Sequence, residues 1–141
     1  MTAGPEVTEL RLVVTAADYD VALRFYRDVL GLREQAAFSS PGGRVTILEA
    51  GRATLEIADP PHAEYIDQVE VGQRVAGHIR VAFGVGDSAA ATRTLAEAGA
   101  TVLAEPVLTP WNSLNARLEG PGDLQLTLFS DLDPHPGQLR D

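Results

Sequence analysis

An internal repeat is the feature that most constrains the fold of this chain. When Asp18 is aligned with Asp87, the segment RLVVTAAD lies over RVAFGVGD, and Arg11 lies over Arg80. In each copy, a strand with alternating apolar residues leads to the aspartate. The aspartate is a typical helix N-cap, and apolar residues at helical spacing follow it. Three short strands complete each copy, so the sequence predicts an α+β fold of two tandem βαβββ modules that form curved, half-open sheets.

The repeat also sets the predicted boundaries within a single domain, residues 1–141. Gly31 and Gly99 are expected to end the two helices. We expect the proline-rich linker between the copies to act as a lid, through Tyr65 and Ile66. The predicted parts are a first module at 7–59, a linker at 60–75, a second module at 76–131 and a loose tail at 132–141. The strands that follow the helices are predicted at 33–38, 44–50 and 53–58, and at 101–105, 112–119 and 124–129.

Composition excludes several classes of function. The 141 residues contain no cysteine and no lysine, which rules out thiolate and Schiff-base chemistry, disulfides and cysteine-based zinc sites. A net charge of −9 disfavours nucleic-acid binding, because phosphates would be repelled. No apolar run reaches the roughly 18 residues that a membrane span needs, and the N-terminus does not resemble a signal peptide. We therefore expect a cytoplasmic protein that does not enter the membrane.

Alternation along the predicted strands assigns polar side chains to one face of the sheet. Residues two apart on a strand point to the same side. The apolar set must cover the helices, so the opposite set is expected to line a concave interior with the form of a ligand site. This polar set contains Arg11, Glu56, Arg80, Asn115, Arg117 and Thr127.

Three stretches resemble the vicinal oxygen chelate superfamily, which includes glyoxalase I, extradiol dioxygenases, fosfomycin-resistance enzymes and bleomycin-resistance proteins. They are AADYDVALRFYRDVLGL, VAFGVGDSAAATRTLAEAGA and EGPGDLQLTLFSDL. With the strands between them they cover about residues 7–131. The resemblance implies two cup-shaped modules and side-by-side pairing of two chains in a homodimer.

The positions of metal ligands in this superfamily separate its metal-dependent members from this chain. Those members place a histidine on the first strand of a module, seven residues before the capping aspartate, and a glutamate or glutamine on the fourth strand. Here the matching positions hold Arg11, Arg80, Glu56 and Thr127. Only Glu56 is a good ligand for a divalent cation, because arginine offers no lone pair. The resemblance is therefore closest to the metal-free bleomycin-resistance branch, with no metal and no cofactor expected.

Arg11 and Glu56 stand at positions that converge in this fold. One hypothesis is that they form a buried ion pair, with the guanidinium where a metal cation would lie. The alternative is that one or both face solvent and contribute little. His78 shares the predicted inward face with Arg80, and we expect an edge or hydrogen-bonding role for it rather than metal ligation.

The only tryptophan, Trp111, follows a proline near the predicted mouth of the second cup. An indole there can stack on a planar or cationic ligand, although packing against the core or a second chain is the alternative. Other residues could add aromatic surface or hydrogen bonds. The predicted ligand-binding residues are Arg11, Phe38, Glu56, Tyr65, His78, Arg80, Trp111, Asn112, Asn115 and Thr127, and no catalytic residue is assigned.

The leading functional hypothesis is a metal-free protein that sequesters a bulky aromatic or cationic natural product, such as an antibiotic, for self-resistance. The alternative is a divergent lyase, isomerase or dioxygenase of the superfamily. Such an enzyme would use an unusual metal set around Glu56 and His78, or Glu56 as a general base. A third possibility is a regulatory module that senses a metabolite.

Overall fold

A computed structural model of the chain describes residues 4–29, 31–120 and 124–132. It confirms the α+β class and the two βαβββ modules, and it adds a helix between them. The first module consists of β1 (Val7–Thr15), α1 (Tyr19–Leu23) with a π-helical extension (Arg24–Val29), β2 (Glu34–Ser40), β3 (Gly43–Ala50) and β4 (Ala53–Ala58). The linker forms α2 (Pro60–Glu70), and the second module consists of β5 (Ile79–Val85), α3 (Ser88–Glu97), β6 (Thr101–Leu108), β7 (Ser113–Gly120) and β8 (Leu124–Asp131).

All eight strands belong to one sheet, in the order β2-β3-β4-β1-β5-β8-β7-β6. The first strands of the two modules pair antiparallel at the centre, and each pairs parallel with the last strand of its own module. The remaining pairs are antiparallel. The two modules thus occupy equivalent strand positions on either side of the β1–β5 pair.

Both aspartates cap their helices as predicted. The Asp18 carboxylate accepts a hydrogen bond from the Val21 N–H at 3.1 Å, and the Asp87 carboxylate accepts one from the Ala90 N–H at 3.0 Å. The helix of the first module differs from that of the second module, because the chain changes to π-helical geometry after Leu23. α3 is a regular α-helix.

The hydrophobic core consists of two clusters on the helix-covered face of the sheet. In the first module, Tyr19, Leu48 and Ile57 pack together, with further apolar side chains of α1 around them. In the second module, Val85, Ala91, Ala116, Leu118 and Leu128 form the corresponding cluster under α3. The opposite, concave face is therefore free to carry polar side chains, as the alternation predicts.

The linker contains the one helix that the sequence-based prediction does not include, over residues 60–70. Asp59 caps α2 by accepting a hydrogen bond from the His62 N–H at 2.9 Å, and the two prolines occupy its first turn, where they cost no hydrogen bond. Among the described residues no helix is long and apolar enough to cross a membrane. Most of the predicted tail, from residue 133 onward, lies outside the described residues.

Candidate functional site

The central strands bring the four superfamily positions together on the concave face. Val13 lies opposite both Glu56 and Arg80, and Ala82 lies opposite both Arg11 and Thr127. Each first-strand arginine thus shares a row of the sheet with the fourth-strand residue of the other module. The convergence that the superfamily resemblance implies is present.

Six buried charges dominate this face, and they balance. Among the described residues the buried charged side chains are three arginines and three carboxylates. The sheet carries Arg11, Arg80, Arg117 and Glu56, a net charge of +2, whereas helix α2 carries the other two carboxylates. The linker helix therefore supplies the negative charge that the sheet lacks. The two acidic residues on α2 are Asp67 and Glu70.

Glu70 lies at the centre of the second module's half of this face. Its Oε1 accepts hydrogen bonds from Arg117 Nη2 at 2.7 Å, from Arg117 Nε at 3.1 Å and from the Thr127 hydroxyl at 2.9 Å. Its Oε2 accepts one from Asn115 Nδ2 at 2.8 Å. Arg80 Nη1 donates to the same threonine hydroxyl at 2.8 Å. All donors come from the sheet, so a carboxylate on α2 completes a network that the strands begin.

Asp67 holds the C-terminal end of α2 in place. Its Oδ1 accepts a hydrogen bond from Arg117 Nη1 at 2.8 Å, and its Oδ2 accepts from the N–H groups of Val75 and Ala76 and from Arg74 Nη1. Burial opposes ionisation of this carboxyl, but the backbone and guanidinium donors outweigh it and lower its pKa below the usual 3.8. Asp67 is therefore a carboxylate that fixes both the helix and the segment after it.

The half of the concave face formed by the first module contains the predicted Arg11–Glu56 pair. Arg11 Nη1 lies 3.7 Å from Glu56 Oε2, and Arg11 Nε donates to Glu9 Oε2 at 2.8 Å. The guanidinium also lies over the Phe129 ring, with its central carbon 4.4 Å from the ring centroid. Because both members of the pair are buried, the reading in which they face solvent is wrong.

An aromatic row marks one edge of α2. The Tyr65 ring lies 6.3 Å from the Trp111 ring and 6.2 Å from the His62 ring, both tilted. Tyr65 also lies against Gly42, where an added Cβ would come within 2.9 Å of the ring. The Trp111 indole nitrogen is buried without a hydrogen-bond partner among the described residues. Trp111 and Tyr65 are thus neighbours, and they meet at the linker helix.

Three predicted ligand-binding residues lie away from this arrangement. His78 is exposed and precedes β5, and its carbonyl accepts a hydrogen bond from Thr15 N–H. Phe38 is on the edge strand β2 and lines a cavity of about 470 Å³ beside Tyr19. Asn112 is exposed in the β6–β7 turn with φ of +62°, so its role is in the turn. The strand register nevertheless places Phe38 on the concave face, in the row of Val45 and Ala58. A ligand-binding role for these three residues stays a prediction.

The residues on the concave face do not fit a divalent metal. Two of the four superfamily positions hold guanidinium groups, which offer no lone pair, and a third holds a threonine hydroxyl that already contacts Arg80 and Glu70. No group of three histidine, cysteine or acidic side chains with metal-binding geometry occurs in the described part of the chain. The exposed His78 does not join Glu56, which is fully buried.

The sequence interpretation missed the linker's part in the site. The sequence places Arg117 on the inward face but not in the predicted site, and the two acids of α2 lie in the segment predicted as a linker with a lid role. The signal was present in ADPP, an N-cap aspartate followed by prolines at the first helical positions. Asp67 and Glu70 are three residues apart, which places them on one face of a helix.

Comparison with known proteins identifies the family. The model of the Glyoxalase/Bleomycin resistance protein/Dioxygenase superfamily matches residues 10–131, and the chain belongs to this superfamily. A protein of Mycobacterium bovis and Mycobacterium tuberculosis named "Putative glyoxylase CFP32" is 33% identical over 120 residues, 84% of this chain. The chain spans about 41% of the length of that relative.

Solved structures show the same fold. Methylmalonyl-CoA epimerase from Mycobacterium tuberculosis superposes with a TM-score of 0.65 at 23% identity, covering 93% of each chain. A mutant 4-hydroxymandelate synthase from Streptomyces coelicolor gives a TM-score of 0.60 at 26% identity, covering 96% of this chain and 40% of that one. These likenesses establish the curved eight-stranded sheet as a superfamily fold.

Proposed function

We propose that the protein binds a small organic molecule on its concave face without a metal ion. The observation that supports this most is the set of six buried charges. Guanidinium groups stand at two superfamily ligand positions, and carboxylates of the same chain balance them. A face of this kind can recognise a ligand through shape, stacking and hydrogen bonds.

The aromatic row favours an aromatic ligand. Trp111 and Tyr65 present large, rigid ring surfaces at the edge of the concave face, and the buried indole N–H is a donor without a partner among the described residues. The six buried charges cancel, so their sum favours neither a cationic nor a neutral ligand. The aromatic part of the predicted ligand therefore enters the proposal, and a cationic character stays a prediction.

The names of the relatives favour a second candidate, catalysis on the same face. The mycobacterial relative is named for a glyoxylase, and the structural neighbours include an epimerase and a synthase. In such an enzyme, Glu56 beside Arg11 would be the general base. Sequestration of an antibiotic has no support from these names and stays a prediction.

A homodimer and a cytoplasmic location also stay predictions. Leu10 and Ile79 are 40% and 50% exposed on the convex side of the central strands. Pairing of two chains there would cover them. Light scattering after size-exclusion chromatography measures the mass and decides between one chain and two.

Two measurements test the proposed function. The purified protein is incubated with nickel, zinc, manganese and ferrous iron, desalted and analysed for metal, and we expect none to be retained stoichiometrically. Small aromatic compounds of anionic, neutral and cationic type are then titrated calorimetrically against the wild type and Trp111→Ala. The variant should bind at least about tenfold more weakly, since stacking on an aromatic side chain contributes ~1–3 kcal/mol. Stoichiometric metal, or conversion of a bound compound, would favour the enzyme instead.

A further inference from the structure

We propose that the cavity between the helix of the first module and strands β2 and β3 binds a neutral molecule with several hydroxyl groups, of the size of a monosaccharide. The cavity has a volume of about 470 Å³, which is ordinary for a small-molecule site. It lies on the helix-covered side of the sheet. This second site goes beyond the proposed function of the concave face and does not depend on it.

The cavity occupies a place that is filled by the hydrophobic core in the other module. Helix α3 packs against the three strands that follow it, β6, β7 and β8, whereas α1 packs mainly against β4. The matching strand registers place Arg44 and Thr46 of β3 where β7 has Leu114 and Ala116. The first module thus has polar side chains and open space on a face where alternation predicts apolar ones. Departures of this kind are expected at functional sites.

The most buried part of the cavity lining carries hydroxyl groups. Thr46 and Tyr19 are both buried, and their hydroxyls form a hydrogen bond to each other. That bond uses one of the two hydroxyl hydrogens, so the pair can donate a further hydrogen bond and accept others. Ala37 lies beside Thr46 on the neighbouring strand β2, and its short side chain leaves the space above them open. The bottom of the cavity is therefore suited to a ligand hydroxyl.

Two ion pairs between the helix and the strands form the sides of the cavity. Arg44 Nη1 lies 3.1 Å from Asp20 Oδ1, and Arg27 Nη1 lies 3.1 Å from Glu34 Oε1. The Arg44 guanidinium also lies over the Tyr19 ring, with its central carbon 4.3 Å from the ring centroid. The four charged side chains are all more than a third exposed, so a ligand can reach them. Each side thus offers guanidinium donors and carboxylate acceptors.

This mixture of charges determines which ligands suit the cavity. An anion would meet a carboxylate at each side and a cation would meet a guanidinium, so an ion of either sign gains little. A hydroxyl group can donate to a carboxylate and accept from a guanidinium. A neutral molecule with several hydroxyls can therefore use both sides and the hydroxyl pair at the bottom, without a contact between like charges.

A comparison of three sugars tests the class of ligand. Glucose, glucosamine and glucuronate share one ring but differ in charge, and their binding to the wild-type protein is measured by ligand-observed NMR titration. We expect glucose to bind at least about threefold more tightly than either charged analogue, a modest factor because contacts between exposed charges are weak. Equal or tighter binding of a charged analogue would overturn the proposed class, and binding of none of the three would overturn the site.

Variants locate the binding in the cavity rather than on the concave face. Ala37→Leu places a larger side chain in the cavity and should weaken glucose binding at least about tenfold, a loss of about 1.4 kcal/mol. Ala98→Leu makes the same change at an exposed alanine of the second module and should leave glucose binding unchanged. Tyr19→Phe removes one hydroxyl and keeps the ring, with an expected weakening of about two- to tenfold.

The opposite pattern would contradict the proposal. Glucose binding that survives Ala37→Leu but is lost in Trp111→Ala would place the sugar on the concave face and overturn the cavity as its site. Thermal unfolding shows whether each variant is folded. If Ala37→Leu does not fold, Tyr19→Phe decides, and unchanged affinity in that variant would overturn the proposal.

Discussion

The two halves of the concave face differ in how their buried arginines are paired with carboxylates. In the first module the strands contain both members of a buried ion pair, Arg11 and Glu56, 3.7 Å apart. In the second module the strands contain Arg80 and Arg117, and the carboxylates that face Arg117 come from helix α2. In the first module the sheet itself supplies an ion pair, whereas in the second module the linker helix supplies the carboxylates that pair with Arg117.

This difference shows what a repeated sequence does and does not repeat. Backbone, capping and inward-facing positions recur between the modules, because they follow from hydrophobic alternation and N-cap chemistry. The identity of the inward residues does not recur beyond the arginine at the start, since Glu56 in one module is matched by Thr127 in the other. The threonine leaves space and hydrogen-bonding capacity that Glu70 uses.

The largest expected effect is in the half that depends on the linker. Arg117→Met leaves Asp67 and Glu70 buried without their main cation, and it should lower the free energy of unfolding by about 3–5 kcal/mol. Urea unfolding measures the change. Arg33→Met is the control, because the Arg33 side chain is 82% exposed and its ion pair should contribute at most about 1 kcal/mol. A loss no greater than that of the control would show that the linker's ion pairs add nothing to stability.

A smaller effect is expected in the half that the sheet completes. Glu56→Gln removes one charge, but Arg11 keeps Glu9 as a partner at 2.8 Å. The expected loss is about 1.5–3 kcal/mol, below the ~3–5 kcal/mol of a buried charge left with no partner, because Arg11 keeps one carboxylate. If urea unfolding shows a loss as large as for Arg117→Met, the two halves do not differ in the way described.

Removing the hydroxyl that joins α2 to the sheet should cost less again. Thr127→Val keeps the shape of the side chain but loses the donor to Glu70 and the acceptor for Arg80, with an expected cost of about 1–2 kcal/mol. Thr127→Ser keeps the hydroxyl and is the matched control in the same unfolding experiment. A valine variant that is more stable than the serine variant would contradict a role for this hydroxyl.

The smallest expected effect is a dependence of stability on pH. Because folding lowers the pKa of Asp67, its contribution is present above the ordinary value of 3.8 and is lost as the pH falls through the lower folded-state value. Wild-type stability should therefore fall more between pH 5 and pH 3 than that of Asp67→Asn. Parallel decreases for the two proteins in urea unfolding at each pH would show that Asp67 is not responsible.

Most of the fold was predictable from the sequence, and so was the part of the site that the strands contribute. The caps at Asp18 and Asp87 and the inward face of the central strands follow from periodicity and repeat alignment, which are local properties. The Arg11–Glu56 pair follows from the resemblance to the superfamily, whose ligand positions these residues occupy. His78 and Asn112 are exposed, because one residue at the end of a strand or in a turn decides whether a side chain points inward. Glu70 was missed because nothing local connects it to Arg117, 47 residues away.

The sequence by itself determined the two modules and their apolar and polar faces, because each depends on residue type and spacing along the chain. Only the tertiary structure decided how the buried charges are balanced. Ion pairs form between residues that packing brings within a few ångströms, whatever their distance in sequence. Helix α2 brings two buried carboxylates to the concave face, where the buried residues of the strands carry a net charge of +2.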